Sequence, residues 1–167
     1  MVVGITDIVS NKEFYNLVGD IGGTNARFAI VPVGSSELTS IKTLHCEKFE
    51  TIQQALQFYL SSIENIKISS ACIASAGTVH LDTFKPSNND WLINKSDVSS
   101  VLNNIQVSWI NDFNAQALAT TRLTDIDLIT IKAGIDQPDR LRLAIGPGTG
   151  LGVCGLIRSS SEWVSVP

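Results

Sequence analysis

The sequence predicts an α/β domain built on a mixed sheet, and three observations carry that expectation. Apolar runs of strand length recur through the first fifty residues with only short turns between them. A strongly amphipathic helix follows, and a nearly continuous apolar run comes directly after it. Strands joined by short turns pair antiparallel, whereas a strand reached through a helix can pair parallel. At 167 residues, 44% hydrophobic and 17% charged, the chain is globular. A chain of that length buries roughly 70% of its unfolded surface. A net charge of −4 without any Lys/Arg cluster argues against nucleic acid or an anionic membrane as partner and toward a small substrate.

Strands are expected at Phe14–Gly19, Ala26–Val33 and Ser40–Phe49, the last after the Gly34-Ser35-Ser36 turn. Thr51 opens the helix, with Gln54 completing a Thr-x-x-Gln capping box. Ile52, Ala55, Leu56, Tyr59, Leu60 and Ile63 fall on one face. Ile68–Ala76, apolar at nearly every position, reads as the centre of the sheet, and Val79–Phe84 as a further short strand. Lys85 to Asp90 is a polar loop, and Ser96 is expected to cap a short helix carrying Val98, Val101 and Leu102. Ile105–Ile110 forms a strand that bends at Asp112 into an alanine-rich helix over Phe113–Thr121. Leu141–Ile145 reads as a buried strand and Val153–Ile157 as its successor. In this order the turns at Asp20, Ala76 and Asp112 can lie along one edge of the sheet.

Two glycine loops carry the candidate chemistry. Asp20-Ile21-Gly22-Gly23-Thr24-Asn25 sets a carboxylate at a strand end before two glycines, a hydroxyl and an amide. Backbone N–H groups freed by glycine can approach an anion closely, and the carboxylate suits a hydrated divalent cation brought in by a phosphate. The same residues form an ordinary hairpin tip, and the two readings are compatible. Gly146 to Gly152 is the second loop and also a candidate hairpin. Within it, Gly150-x-Gly152-x-x-Gly155 matches the dinucleotide fingerprint in form only, because a strand follows where that fingerprint needs a helix. No Gly-x4-Gly-Lys-Ser/Thr is present. The two loops are instead suited to hold the phosphates of one nucleotide between them.

Asp112 is the candidate for chemistry. By position alone it is a helix N-cap, yet a carboxylate in the favourable dipole of a helix end can also take a proton from a hydroxyl that attacks a phosphoryl group. Asn88, Asn89 and Asp90, ahead of Trp91, are either sugar ligands or a solvated loop beside a core tryptophan. His45 and His80 have no catalytic partners in sequence, and Asp125-x-Asp127 is too sparse for a calcium loop. Asn94-Lys95-Ser96 fits a glycosylation sequon but is expected to stay unmodified. Cys46, Cys72 and Cys154 read as buried reduced thiols without disulfide or metal spacing. The first eleven residues lack the features of a secretory signal and no apolar run reaches membrane-spanning length, so a cytoplasmic protein is expected.

Leu17 to Arg27, Asn88 to Trp91, Ile110-Asn111-Asp112-Phe113 and Gly146-Pro147-Gly148-Thr149-Gly150-Leu151-Gly152 together closely resemble the bacterial-type glucokinase family. That family belongs to the actin/Hsp70/hexokinase superfamily. The motifs come in family order and span nearly the whole chain from Leu17. The resemblance implies an actin-like ATPase (ribonuclease H-like) domain, a mixed five-stranded sheet with helices on both faces. It also implies transfer from ATP, with Mg²⁺, to the 6-hydroxyl of glucose. On that resemblance Asp20, Gly22, Gly23, Thr24, Asn25 and Arg27 match the first phosphate motif, with Asp20 reaching Mg²⁺ through water. Gly148, Thr149 and Gly150 match the second phosphate motif and Asp112 the catalytic base. Asn111, Asn88 and the Ala76-Gly77 turn match the sugar side. Trp163 to Pro167 resembles the segment preceding the family's Gly-Glu-Gly-Gly-His motif. Residues 1–12 do not alternate long enough to demand burial and read as a loose arm, and the resemblance implies, over 13–167, the N-terminal lobe of a two-lobe kinase whose second lobe is absent. A homodimer is compatible with it. A kinase for another hexose and a non-catalytic sugar-sensing regulator on the same fold are the alternatives, and neither a DNA-binding helical module nor a zinc-binding cysteine cluster of such regulators is visible.

Overall fold

A computed structural model describes residues 13–135, 137, 140–147, 151–160 and 162–166. The expected N-terminal arm, residues 1–12, lies outside them. β1 (Glu13–Ile21), β2 (Asn25–Pro32) and β3 (Thr39–His45) form an antiparallel meander, as their short connections require. After α1 (Ile52–Ser61) the chain returns as β4 (Ile66–Ser75), parallel to β1 on its other side. A two-stranded ribbon, β5 (Thr83–Phe84) with β6 (Ile93–Asn94), leads into α2 (Lys95–Val101). β7 (Val107–Asn111) then pairs parallel to β4 and passes without a break into α3 (Asp112–Ala119). The five-stranded sheet runs β3-β2-β1-β4-β7. β8 (Arg142–Pro147), β9 (Leu151–Ser159) and β10 (Glu162–Val166) make a separate antiparallel sheet.

Each face of the larger sheet has its own cover. Leu17 and Ile21 of β1, Phe28 and Ile30 of β2, and Ile73 of β4 pack under Ile52, Ala55, Leu56 and Tyr59 of α1 and Val98 of α2. The residues of opposite parity, Val18, Asp20, Ala29 and Ala74, face a cavity walled by Ala115, Gln116 and Ala119 of α3. Helices therefore flank both faces, in agreement with the expected actin-like architecture. The far side of α3 covers the small sheet, where Ala117 meets Cys154 and Leu156 with Phe113 and Trp163 around them.

Several expectations change. β1, not β4, is the central strand, although β4 is interior. Only Thr83–Phe84 pairs out of Val79–Phe84, because the chain turns at Gly77 (φ +105°) and again where the Leu81 N–H bonds to the Thr78 carbonyl at 3.1 Å. Asn94, not Ser96, caps α2: its Oδ1 accepts from the Ser96 N–H at 3.0 Å. β8 is not a buried strand. It alternates, with Leu143 and Ile145 57% and 59% exposed, since only its inner face meets α3. Cys72 is exposed, whereas Cys46 and Cys154 are buried as expected. Among the described residues no helix is long and apolar enough to cross a membrane.

Tyr59 links core and sheet. Its side chain is wholly buried with its ring 5.4 Å from that of Phe28, and its hydroxyl donates to the Ser40 carbonyl at 3.1 Å. Burial pushes its phenol up to about 12, from an ordinary 10.0. The folded state thus favours the neutral phenol, so this contribution is intact below pH 10 and is lost as pH rises toward 12. Tyr59→Phe should cost about 1 kcal/mol at neutral pH through the lost hydrogen bond. The same variant should lose less stability than the parent on alkalinisation. Urea midpoints measured below pH 10 and again near pH 12 check both outcomes.

Candidate functional site

Parallel pairing sets the site. Ile21 lies opposite Ser75, and Ser75 opposite Asn111, so β1, β4 and β7 end flush along one edge. Neighbouring strands are about 4.8 Å apart, which puts the turn at Gly22 and the start of α3 roughly 10 Å from each other, with the Ala76-Gly77 turn between them.

The first glycine loop is a hairpin tip, closed by the Gly22 N–H on the Asn25 carbonyl at 2.9 Å. It is held from two further sides. The Cys46 N–H donates to the Thr24 carbonyl at 2.8 Å, and the Asn89 side-chain amide donates to the Gly22 carbonyl at 2.9 Å. Glycine at 23 is a packing requirement: a Cβ there would stand 2.7 Å from the Asn88 carbonyl oxygen. Burial pushes the Cys46 thiol up in pKa, which makes it a packing residue rather than a nucleophile.

Below the tip, Asp20 and Arg27 are direct partners across the hairpin and form an ion pair at 2.8 Å. Their side chains are 47% and 53% exposed, so the pair adds at most about 1 kcal/mol to stability. Its value is positional, since it holds a carboxylate and a guanidinium upright on the α3 side of the sheet. Both line a cavity of about 800 Å³ whose opposite wall contains Asp112 and Gln116. A second cavity of about 700 Å³ adjoins it, bordered by Gly23, Gly77, Asn88 and Asn111, and by Gly146 and Gly152 of the β8–β9 hairpin. Gly22, Asp112 and Gln116 border both cavities.

Asn111, not Asp112, is the N-cap of α3. Its Oδ1 accepts from the N–H groups of Phe113 and Asn114 at 3.0 and 3.3 Å, while Asp112 is the first helical residue. One carboxylate oxygen of Asp112, Oδ1, accepts from the Phe113 N–H at 2.9 Å, which fixes the group and leaves Oδ2 for the cavity. With its Oδ1 committed to the cap, Asn111 offers the second cavity only its amide NH₂.

The cavities thus gather Asp20, Gly22, Gly23, Arg27, Ala76, Gly77, Asn88, Asn111 and Asp112. Thr24 and Asn25 line neither cavity; Thr24 is exposed, and the Asn25 Oδ1 is buried without a partner. Gly148, Thr149 and Gly150 lie outside the described residues. Asn89 and Asp90 border neither of these cavities and are held by contacts within the chain. Asn89 is buried with both side-chain groups spent, its Oδ1 accepting from the Trp91 N–H at 2.9 Å, and Asp90 pairs with Lys85 at 3.0 Å on the surface. Trp91 is a core residue whose indole N–H donates to the Phe49 carbonyl. Sequence reasoning did not single out Gln116, which borders both cavities beside residues distant along the chain.

No group of three or more metal-ligating side chains occurs among the described residues. The Asp20 carboxylate, lining the larger cavity, suits magnesium held indirectly, because Mg²⁺ keeps most of its waters and takes phosphate oxygens, needing only one or two carboxylates. Arg27 engages Oδ2 of Asp20, so Oδ1 is the oxygen that would meet a metal-bound water.

The family profile for Glucokinase matches residues 17–167. The chain belongs to the glucokinase family. It is 43% identical over 153 residues to the glucokinase of Hahella chejuensis, covering 92% of this chain and 48% of that one. The crystal structure of a glucokinase from an Antarctic psychrotroph superposes with a TM-score of 0.80 at 32% identity, over 91% of this chain and 49% of that one. A ROK-family glucokinase from Streptomyces griseus, solved with glucose and AMPPNP, shares the fold at a TM-score of 0.61 and 23% identity, over 86% and 44% of the two chains. This glucokinase-family chain therefore spans about half the length of the relatives it matches.

Asn89 is expected to matter for stability and Asp90 not. Asn89→Ala strands the Gly22 carbonyl and the Trp91 N–H and should lower stability by about 1–3 kcal/mol. Asp90→Ala removes an exposed pair and should stay within about 0.5 kcal/mol. Denaturant midpoints of the two variants test the assignment, and equal losses would refute it.

Proposed function

We propose that this chain supplies the N-terminal lobe of an ATP-dependent glucokinase, carrying the base and the first phosphate motif. The observation that carries this reading is the cavity shared by Asp112 with the Asp20–Arg27 pair, in a chain of the glucokinase family. Asn88, the Asn111 amide and the Ala76-Gly77 turn surround the adjoining cavity as a sugar site would require. In this reading Asp112 takes the proton of the glucose 6-hydroxyl through Oδ2. The 6-hydroxyl oxygen of glucose forms a bond to the γ-phosphorus as the bond from that phosphorus to the β-phosphate oxygen breaks, and ADP leaves. Bound Mg²⁺ would neutralise phosphate charge, with Asp20 holding it through water and Arg27 fixing the Asp20 carboxylate. Gly148, Thr149 and Gly150 are assigned to the second phosphate contact on the resemblance alone, as are Thr24 and Asn25 to the first. Kinase action on a different hexose remains within the same site chemistry.

Closure of a second lobe would exclude water and orient the hydroxyl, effects that together account for roughly 7–11 kcal/mol of a barrier. The isolated chain is therefore expected to show negligible glucose-dependent ADP release, and turnover like that of a two-lobe enzyme would overturn the lobe assignment. Joined to the remaining half of the Hahella chejuensis glucokinase, the chain should phosphorylate glucose. Asp112→Asn in that protein should lower kcat by about 10²–10⁴-fold while glucose binding persists. Unchanged behaviour on that substitution would favour a sugar sensor.

A further inference from the structure

Gly146 and Gly152 are direct partners across the β8–β9 hairpin, and both face α3. A glycine pair inside a two-stranded ladder weakens it and marks a place where another group approaches closely. Here that group is the ring of Phe113: a Cβ on either glycine would fall inside the ring's own contact shell. Ala144 and Cys154, next along the same inner face, are small as well, and Ala117 of α3 lies against Cys154 and Leu156. The ring thus fills the space that two side chains would otherwise occupy at the end of the hairpin nearest Asp112. Phe113 is also the residue whose N–H holds Oδ1 of Asp112. One residue therefore grips the base through its backbone and the second glycine hairpin through its side chain.

We propose that Phe113 is a positioning residue that sets the spacing between the Asp112 carboxylate and the Gly146–Gly152 pair of β8 and β9. The inference rests on the kinase reading for its catalytic consequence, but its geometric part stands apart from that reading. A rigid ring in a space without side chains allows little play, so the Gly146–Gly152 pair and the first turn of α3 shift together. Helix α3 is also packed between the two sheets.

Three variants test this: Phe113→Leu, Gly152→Ala, and the two combined. In the isolated chain, Gly152→Ala should move the amide nitrogen resonance of Asp112, and Phe113→Leu those of Leu151 and Val153. The double variant should bring the Asp112 resonance back toward the parent, because the smaller side chain makes room for the added methyl. In the chain joined to the remaining half of the Hahella chejuensis glucokinase, Phe113→Leu should lower kcat about tenfold or more with the glucose KM nearly unchanged, as expected for an interaction that matters in the transition state. A shift confined to the hairpin in Gly152→Ala, a double variant no closer to the parent than the single, or a loss seen only in KM would each overturn the proposal. An inactive joined parent with coupled resonances would overturn the kinase reading and leave the spacer role standing. An active parent with uncoupled resonances would do the reverse.

Discussion

The parallel register of β1, β4 and β7 is the constraint on which the rest of the molecule depends. Because the strands end flush at Ile21, Ser75 and Asn111, three turns that are far apart in the chain open on the same side of the sheet. Register and face are linked, since a slip of one residue would carry each side chain to the opposite side. Such a slip would drive Asp20 into the space beneath α1 and α2 now filled by Leu17 and Ile21, and a carboxylate there would have no partner. The apolar face that stabilises the fold is therefore also what points the Asp20–Arg27 pair into the cavity.

Helix α3 is the second organising element, because it serves as a wall for both sheets and carries the Asp112 carboxylate at its start. Its start is specified twice, by the Asn111 cap and by the bond from the Phe113 N–H to Asp112. Around the site, glycine marks close packing more than backbone freedom. Gly23 admits the Asn88 carbonyl, and Gly146 with Gly152 admits the Phe113 ring, so the polar rims can approach without intervening side chains. Asn89, buried and fully bonded, ties the loop carrying Asn88 to the tip carrying Gly22 and Gly23.

Much of this was legible from residues alone where one local signal dominated. Thr51 caps α1, accepting from the Gln54 N–H, although the Gln54 side chain accepts from the Glu50 N–H instead of closing the expected box on Thr51, and the apolar spacing that follows marks the buried face of that helix. The β1–β2 hairpin follows from two apolar runs around Gly22-Gly23. The misreadings share a cause, namely that a partner distant in sequence decided the outcome. Asn89 and Asp90 are adjacent and both polar, yet one meets the Gly22 carbonyl and the other meets solvent and Lys85. β8 reads as a buried strand, but only one of its faces finds a helix to cover it. Asn111 and Asp112 are equally good caps by type, and the bend of the chain gave that role to the first and left the second free to face the cavity.

The order of strands and helices, the buried face of α1, the family motifs and the candidate acid at 112 are properties of the sequence by itself. They rest on side-chain periodicity, local capping and turn chemistry, which act over a few residues. Tertiary structure alone decided which polar groups became struts and which face the cavities, and why positions 146 and 152 must be glycine. Those outcomes depend on which atoms meet across strands and between sheets, where contact is made by residues far apart along the chain.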